Sequence, residues 1–348
     1  MRILQVLSDA QLGGGPRFVA LLTEGLVERG HQVSIMAPSG PAAESLAAAG
    51  APVYPWRDLG RLAAWADVIN THGKRAGLYR FRATKPVVHH HHGLHFRGVK
   101  GRAELALERY LGRKFTALTV HVASHQGEEG RRLKLNGLVI PLGIPGQALA
   151  DQAYKKEVAR SVLKLPQDGF LIGAVGRLDP VKRWDLVVRA LRPTRNVTLV
   201  LVGDGADRDR LFRIAKTHQV ADRVICCGEV PYAWRYLRAF DVLVNPSKAE
   251  GCPLIVLEAV ALGVPILLSN IPAHRELVGG AGMIGAFYGE DELAGWHSAL
   301  AHAVSSSLPL VAPLQRASLD PAYLSTKLMV DSHESVYAYC CSQPVSAV

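Results

Sequence analysis

Short apolar runs alternate with helical stretches along this 348-residue chain, and that alternation restricts its fold more than any other feature. Ile3–Leu7 predicts a strand, Arg17–Arg29 an amphipathic helix, and Gln32–Met36 the next strand. The same pattern predicts further strands at residues 67–71, 86–90, 116–122, 138–140, 170–175, 197–202, 223–227, 241–245 and 264–268. Continuously apolar strands separated by helices favour parallel sheets with both faces covered.

The length and composition of the chain indicate two folded domains. At roughly 100–200 residues per domain the chain suffices for two, and 49% hydrophobic against 20% charged residues excludes global disorder. The Pro/Gly-rich link at 140–145 predicts the hinge. We therefore predict doubly wound α/β domains at 1–145 and 146–322, and a C-terminal helix at 323–342 that crosses back to the first domain.

Cysteine usage and hydropathy predict a protein of the reducing cytoplasm. The five cysteines are an odd number without a Cys-x-x-Cys pair, so neither a disulfide framework nor a cysteine-based zinc site is expected. No apolar run reaches the roughly 18 residues of a membrane span, and the N-terminus becomes polar too soon for a signal peptide. We expect a soluble or peripheral protein.

The positive charge is concentrated in the first half of the chain. Residues 1–150 hold 19 Lys+Arg and 10 Asp+Glu, whereas the remainder holds 21 and 20. The densest segment, Lys74–Lys114, has 11 basic and 2 acidic residues. Such a field favours an anionic partner, which can be nucleic acid, anionic lipid or a phosphorylated acceptor; an ordinary solvated basic surface is the alternative.

Two turns that follow predicted strands are candidate anion sites. The glycine-rich turn Gly13–Arg17 precedes a helix whose N–H groups suit a phosphate, although a tight turn explains its glycines equally well. In the second half, Arg177 and Lys182 flank a turn at the end of a strand, where open α/β sheets bind ligands. Together these cations suit a diphosphate, and ordinary surface cations are the alternative.

The segment Asn245–Glu258 carries two carboxylates around a helix start predicted near Pro253. Glu250 lies at the mouth of the loop and can accept hydrogen bonds from sugar hydroxyls. Glu258 lies within the apolar helix, where an unpaired carboxylate would be costly, so it requires a polar partner such as a ribose. A structural cap or a salt bridge is the alternative for both.

His89–His92 is a run of four histidines on a predicted strand. Alternate residues share a face, so His90 and His92 lie on one side of the sheet and His89 and His91 on the other. Four successive residues cannot all bind one ion, and no acidic cluster accompanies them in the sequence, so no metal site is predicted. A single histidine at the strand end, facing a ligand, is the favoured interpretation.

Taken together, these segments resemble the retaining GT-B glycosyltransferases of family four, which build bacterial polysaccharides and lipopolysaccharide. The similarity runs through GRLDPVKRWDLVVRAL, LVLVGDGADRDRL and FDVLVNPSKAEGCPLIVLEAVALGVPIL, which carries the Glu250-x7-Glu258 pair. LGGGPRFVALLTEGLVERGHQV and HHGLHFRGVKGRAELALERYL are similar to the opening and the acceptor-side segment of the group. Two positions depart from the pattern, since Cys252 replaces an aromatic residue and Arg183 replaces a glycine.

The resemblance implies two Rossmann-like domains facing a cleft, the first binding the acceptor and the second the nucleotide sugar. It implies that Arg177 and Lys182 neutralise the leaving diphosphate without a metal ion or other cofactor. Backbone N–H groups of Gly14 and Gly15 would assist them. The remaining implied diphosphate contacts come from the loop after Glu250, at Gly251, Cys252, Pro253 and Leu254.

The resemblance also assigns the rest of the donor. Glu258 would hold the ribose and Glu250 the transferred sugar, while the backbone at Glu229 and Val230 would touch the base. His92 would contact the sugar and its developing oxocarbenium charge. The pattern is compatible with a UDP, GDP, ADP or dTDP sugar and with any oligomeric state.

The implied function is retaining transfer of a sugar to a glycan acceptor that is lipid-linked or of lipopolysaccharide type. Basic residues beside the acceptor are expected to hold the protein at the anionic inner face of the cytoplasmic membrane. These residues are Lys100, Arg102, Arg113 and Lys114. The alternatives are a nucleotide-sugar epimerase on the same fold and a non-catalytic nucleic-acid binder. Nucleic acid is not the predicted partner, because the basic segment has few aromatic residues for base stacking.

Overall fold

The computed structural model describes residues 1–94, 96, 98–192, 196–278, 287–288, 293–305, 323 and 325–343. The chain divides into two units, Met1–Gly143 with Ser325–Val348, and Ile144–Leu324. Residues 306–322, at the end of the predicted second domain, lie outside the described residues, as do His95 and Leu324.

The first unit is built on a seven-stranded parallel sheet. Its strands are β1 (Arg2–Leu7), β2 (Gln32–Met36), β3 (Val53–Tyr54), β4 (Val68–His72), β5 (Val87–His91), β6 (Leu118–His121) and β7 (Leu138–Val139). Its helices before the second unit are α1 (Gly14–Glu28), α2 (Ala43–Ala47), α3 (Leu59–Trp65), α4 (Gly73–Gly77), α5 (Gly98–Lys114) and α6 (Ser124–Arg132). Every residue of β4 and β5 is buried, because helices cover both faces.

The second unit is built on a six-stranded parallel sheet. Its elements are α7 (Gly146–Gln152), α8 (Lys156–Val162), β8 (Phe170–Val175), α9 (Trp184–Ala190), β9 (Val197–Val202), α10 (Arg208–Thr217), β10 (Val224–Gly228), β11 (Val242–Asn245), α11 (Leu254–Ala261), β12 (Ile266–Ser269), α12 (Pro272–Val278), β13 (Phe287–Tyr288) and α13 (Leu293–Ser305). Its core joins strand residues such as Ile172 and Leu199 to the buried indoles of Trp184 and Trp296. Each large apolar side chain buried in this way contributes roughly 1.5–3 kcal/mol.

Both sheets reverse their strand order beside their first strand. The orders are β3-β2-β1-β4-β5-β6-β7 and β10-β9-β8-β11-β12-β13, so the reversals fall between β1 and β4 and between β8 and β11. In open α/β sheets, ligands bind outside the carboxyl ends of the strands at such a reversal. The predicted fold class, two doubly wound parallel-sheet domains, is confirmed.

The last helix, α14 (Thr326–Ser342), packs on α1 in the first unit. They pack tightly at Gly25, where a Cβ atom would lie 2.5 Å from Val330 Cγ2. Arg29 adds an ion pair to Asp331 Oδ1 at 2.6 Å and a second to Glu334. The C-terminal segment therefore completes the first unit.

Candidate active site

The turn after β8 presents Lys182 beside the strand end. The chain turns at Gly176, whose φ of 145° favours glycine, and a Cβ there would lie 3.9 Å from Lys182 Nζ. Lys182 ends a short 3-10 turn, and the next residue, Arg183, has a left-handed φ of 57°. That conformation costs about 1–2 kcal/mol for a residue with a side chain. Glycine adopts this conformation without that cost, which explains why the resembling family usually has glycine at the position of Arg183.

Lys182 and Glu250, predicted separately, form an ion pair. Lys182 Nζ lies 2.6 Å from Glu250 Oε1, which also accepts hydrogen bonds from Ser247 Oγ at 2.6 Å and from Asn245 Nδ2 at 3.3 Å. Burial by itself raises the pKa of Glu250, but the charge and hydrogen bond of Lys182 and the bond from Ser247 outweigh it. The pKa therefore lies below its ordinary value, and the carboxylate is ionised at neutral pH.

The loop after β11 is held in place by its own hydrogen bonds. Asn245 ends the strand, and its Oδ1 accepts the backbone N–H of Ser247 at 3.2 Å. The N–H of Lys248 donates to the carbonyl of Val181 at 2.9 Å, which ties this loop to the turn after β8. Asn245 and Ser247 were not assigned a role from the sequence, although they stand in the motif immediately before Glu250.

Arg177 precedes Lys182 in the sequence and Glu258 follows Glu250, and the two side chains differ in their exposure to solvent. The Arg177 side chain is 56% exposed and makes a 3.4 Å ion pair with Asp179, so its guanidinium is accessible to a ligand. Glu258 is buried in the second turn of α11, where its side chain is 4% exposed. Pro253 is the N-cap of α11 and not a first-turn residue, which corrects the predicted helix start by one position.

Three further predicted donor residues are Cys252, beside Glu250 in the sequence, and Glu229 and Val230, which follow β10. Burial and the charges of Glu276 and Glu250 raise the pKa of the Cys252 thiol far above neutrality, so it is not a nucleophile. Glu229 is exposed and Val230 half-buried, directly after β10. Because β9 lies between β10 and β8, both are displaced along the sheet edge from the turn that carries Lys182.

In the first unit, the glycine turn is the beginning of a helix. α1 starts at Gly14, three residues before the predicted Arg17, and Gly14 is exposed. A Cβ at Gly13 or at Gly15 would meet nothing within 4 Å. The first N–H groups of α1 are therefore accessible at the carboxyl end of β1, beside the reversal of the sheet.

His92 directly follows β5 and contacts another histidine. Its Nε2 lies 3.2 Å from His72 Nδ1, and its ring packs edge-on against Phe18 with centroids 5.2 Å apart. Burial, aided by the nearby His333, lowers the pKa of His92 to about 4. The imidazole is therefore neutral at pH 7.

His89 and His91 lie on the opposite face of β5, where the sequence interpretation missed an acidic neighbour. α5 places Glu108 beside them, so that ligand atoms of the three residues lie within 4.8 Å of one another. The sequence shows no acidic cluster beside the histidines, but the fold brings one carboxylate, Glu108, next to two of them. Glu108 pairs with buried Arg80 at 2.6 Å, and a metal ion would have to compete with that guanidinium. Independence from metals stays a prediction.

The four basic residues of the predicted membrane contact are all exposed on α5. Apolar side chains lie exposed on the same helix, with Val99 at 80% and Tyr110 at 49%, and Phe81 packs against Tyr110 at a 6.3 Å centroid distance. Arg80 does not belong to the predicted basic field, since it is buried with Glu108, and Lys74 pairs with Glu104 at 2.7 Å. We call the outer side of this helix the α5 surface. It consists of Val99, Lys100, Arg102, Tyr110, Arg113 and Lys114.

No helix in the described part of the chain is both long and apolar enough to cross a bilayer.

Two family models together cover most of the chain. Residues 12–145 match the model described as Glycosyltransferase Family 4, and residues 155–301 match Glycosyl transferases group 1. The chain belongs to the GT-B glycosyltransferases of group 1 and family 4. The resemblance drawn from the sequence motifs is therefore confirmed.

The relatives that match parts of this chain in sequence include polysaccharide-building proteins. It is 32% identical over 124 residues to the O-antigen biosynthesis glycosyltransferase WclY of Escherichia coli, covering 36% of this chain and 34% of WclY. It is 27% identical over 236 residues to the UDP-Gal:alpha-D-GlcNAc-diphosphoundecaprenol alpha-1,3-galactosyltransferase of Escherichia coli, covering 61% and 60%. The chain thus spans less than two thirds of the length of either relative.

Solved structures share the fold over nearly the whole chain. Anabaena HepE in complex with UDP and glucose superposes with a TM-score of 0.81 at 17% identity, covering 97% of this chain and all of HepE. WaaG, a glycosyltransferase involved in lipopolysaccharide biosynthesis, gives a TM-score of 0.70 at 16% identity, covering 99% of this chain and all of WaaG. At these identities the likeness establishes the GT-B fold.

Proposed function

We propose that this chain is a retaining glycosyltransferase that moves a hexose from a nucleotide sugar to a glycan acceptor, lipid-linked or of lipopolysaccharide type. The observation that carries the proposal is the Lys182–Glu250 pair, set in two loops at the strand reversal of the second unit. It offers a cation for a leaving diphosphate and a carboxylate for sugar hydroxyls at the same place.

In this proposal the second unit binds the donor. Lys182 and the accessible Arg177 neutralise the charge that develops on the leaving diphosphate, so no metal ion is required. Glu250 accepts hydrogen bonds from the sugar and Glu258 from the ribose. The N–H groups of Gly251, Cys252 and Leu254, at the start of α11, add dipolar stabilisation. The backbone at Glu229 and Val230 contacts the base.

The proposed reaction keeps the anomeric configuration. The bond between the anomeric carbon and the phosphate oxygen breaks, and the acceptor oxygen bonds to the same face of that carbon. The leaving phosphate takes the acceptor proton, which balances the step without a protein base. His92, neutral and half-buried, contacts the sugar, and the N–H groups of Gly14 and Gly15 contribute to phosphate binding.

UDP sugars are the first donors to test. HepE was solved with UDP and glucose, and the galactosyltransferase relative is named for UDP-Gal. That relative is also named for a diphosphoundecaprenol acceptor, which supports a lipid-linked acceptor for this chain. The α5 surface supports docking on an anionic leaflet at the inner face of the cytoplasmic membrane, because each Lys or Arg there contributes about 1 kcal/mol.

A thermal-shift panel of UDP, GDP, ADP and dTDP sugars tests the donor class. A donor at 100 times its Kd stabilises the folded state by about 2.7 kcal/mol, so the correct nucleotide raises Tm above the others. Incubation with the selected donor alone then tests the reaction type. An epimerase would convert the donor without any acceptor, whereas the proposed enzyme would leave the sugar configuration unchanged. A protein that binds nucleic acid but none of the donors would overturn the proposal.

A further inference from the structure

A buried row of polar side chains runs through the first unit from α14 to His92. Tyr337 Oη lies 2.6 Å from Asn70 Nδ2, and the same Asn70 nitrogen donates to Gln5 Oε1 at 3.0 Å. Gln5 Oε1 lies 2.7 Å from His72 Nε2, and His72 Nδ1 lies 3.2 Å from His92 Nε2. Tyr337, Asn70 and Gln5 have no exposed surface, and His72 is 5% exposed.

The donor and acceptor atoms of the row determine which ring nitrogen of each histidine carries the proton. Gln5 Oε1 is an acceptor only, so the His72 Nε2 facing it carries the proton. A neutral imidazole has one N–H, and His72 Nδ1 is therefore an acceptor. His92 Nε2 must then be protonated to donate to it, which leaves His92 Nδ1 with the free lone pair. Each hydrogen bond determines which atom is the donor in the next one. The orientation of the Gln5 amide therefore determines the tautomers of both histidines.

Aromatic side chains surround the two histidines at the His92 end of the row. Phe18 packs against both His72 and His92, with ring centroids 5.7 and 5.2 Å away. His333, a buried residue of α14, is held by its own bond from Nδ1 to the carbonyl of Met329 at 2.6 Å. Burial, with smaller effects of His92 and His333, lowers the pKa of His72 well below its usual range, so the ring stays neutral.

Tyr337 holds the distal end of the row. Its hydroxyl accepts from Asn70 Nδ2, and in the structure the same nitrogen, not the amide oxygen, faces Gln5. The opposite orientation of both amides would turn Gln5 into a donor towards His72 and would reverse the tautomer of His92. The row therefore connects a residue of the C-terminal helix to the protonation pattern of a candidate catalytic histidine.

We propose that Tyr337, Asn70, Gln5 and His72 are positioning residues that hold His92 in the tautomer with Nε2–H directed at His72. Nδ1 is then the ring nitrogen that accepts a hydrogen bond from a hydroxyl of the bound sugar. The tautomer follows from the row itself, whereas its value for catalysis rests on the proposed function of His92. Tyr337 acts through three other residues and needs no contact with the donor.

Nitrogen-15 spectroscopy of the histidine rings tests the tautomer directly. The protonated and unprotonated nitrogens of a neutral imidazole have well-separated shifts, and the His92 signals are assigned by their loss in His92→Gln. The wild-type protein at neutral pH should show Nε2 protonated and Nδ1 unprotonated. A protonated Nδ1 in the wild type would overturn the proposal, and this measurement needs no variant of the row to fold.

Two variants then test the connection. His72→Phe keeps an aromatic ring against Phe18 but removes the acceptor, and Tyr337→Phe removes only the distal hydroxyl. Both should mix the tautomers of His92, whereas Tyr339→Phe, on an exposed residue of the same helix, should leave them unchanged. Unaltered His92 signals in both row variants, with folding verified by circular dichroism, would contradict the proposal.

Kinetics separate this inference from the proposed function. Removing groups that orient a catalytic histidine lowers kcat by about 10-fold to 100-fold or more, so Tyr337→Phe should lower kcat about 10-fold with donor KM within two-fold. If the tautomers mix but kcat does not change, the row is correct and the catalytic role of His92 is wrong. If the tautomers do not mix, the row is wrong whatever the activity.

Discussion

Lys182 Nζ lies 2.6 Å from Glu250 Oε1, and this ion pair links the turn after β8 to the loop after β11. The two side chains are only 17% and 11% exposed, so the pair is largely shielded from water. A buried pair of this kind depends on both partners, since either alone would be an uncompensated charge. A donor diphosphate would have to share the Lys182 ammonium with Glu250.

Lys182→Met should change how stability depends on pH. In the wild type the pKa of Glu250 is depressed, so its stabilising contribution is present above the unfolded-state pKa of about 4.3 and is lost as pH falls. Without Lys182, burial dominates and raises the pKa, so the contribution is lost as pH rises instead. The Tm difference between wild type and variant should therefore grow from about pH 4 to pH 7.

The matched control for that experiment is Lys156→Met. Lys156 makes a 2.6 Å ion pair with Asp241 in the same unit, but it is 44% exposed and belongs to no predicted donor contact. Lys156→Met should leave kcat nearly unchanged, whereas Lys182→Met should lower kcat by about 10²-fold or more. A Tm difference between Lys182→Met and wild type that stays constant across this pH range would show that Lys182 does not set the charge of Glu250.

Arg177→Ala should lower kcat by about 10²-fold with little change in Tm, because the side chain is 56% exposed and would act on the leaving group. Arg208→Ala is its control, since Arg208 is 47% exposed and also makes a 3.4 Å ion pair with a nearby aspartate. Steady-state kinetics on both variants checks the prediction. A kcat for Arg177→Ala within about two-fold of wild type would remove Arg177 from the leaving-group role.

Replacement of individual histidines should separate chemistry from packing. His92→Ala should lower kcat per folded molecule strongly, whereas His89→Ala and His91→Ala remove buried rings and should mainly lower Tm. Activity per folded molecule and thermal unfolding are measured together. Equal losses of activity for all three would indicate a shared metal or a common folding defect, which metal analysis of the purified protein would separate.

The α5 surface should bind anionic liposomes at low salt and release them as salt rises, because its attraction fades beyond a Debye length of about 8 Å at physiological ionic strength. Replacing Lys100, Arg102, Arg113 and Lys114 with Gln should weaken sedimentation without changing donor binding. A charge-matched control replaces exposed cations of the second unit, namely Lys164, Arg208, Arg213 and Lys216. The prediction that the α5 surface binds membranes is wrong if the two quadruple variants sediment with anionic liposomes to the same extent.

Most strands were predictable from the sequence because they are continuously apolar and end at turn residues. β2, β8 and β9 match their predicted ranges, and the other predicted strands differ by a few residues at most. The two-residue strands β3 and β13 were not predicted. The start of α1 was missed because Gly14 and Gly15 have low helix propensity and read as a loop, although they form its first turn. Local composition thus located elements better than it located their ends.

The predicted site residues that share a loop could be found from spacing, but their long-range partners could not. Glu108, on α5, lies close to His89 on β5, and Tyr337 reaches Asn70 across 267 positions. Neither pair has a sequence signature, because a buried contact between distant residues depends on how helices and strands pack and not on local pattern. His72, at the end of β4, could have been identified from the sequence. Polar residues at the carboxyl ends of parallel strands lie at the edge of the sheet where ligands bind.

The central claim is tested most directly by transfer from a nucleotide sugar to a glycolipid acceptor, followed by determination of the product's anomeric configuration. Purified protein, a UDP sugar selected by thermal shift and a diphosphate-linked lipid acceptor are incubated, and nucleoside diphosphate release and the product NMR spectrum are recorded. The account predicts release that depends on the acceptor, a product with the anomeric configuration of the donor, and loss of both in Lys182→Met. An inverted product, or conversion of the donor that needs no acceptor, would contradict it.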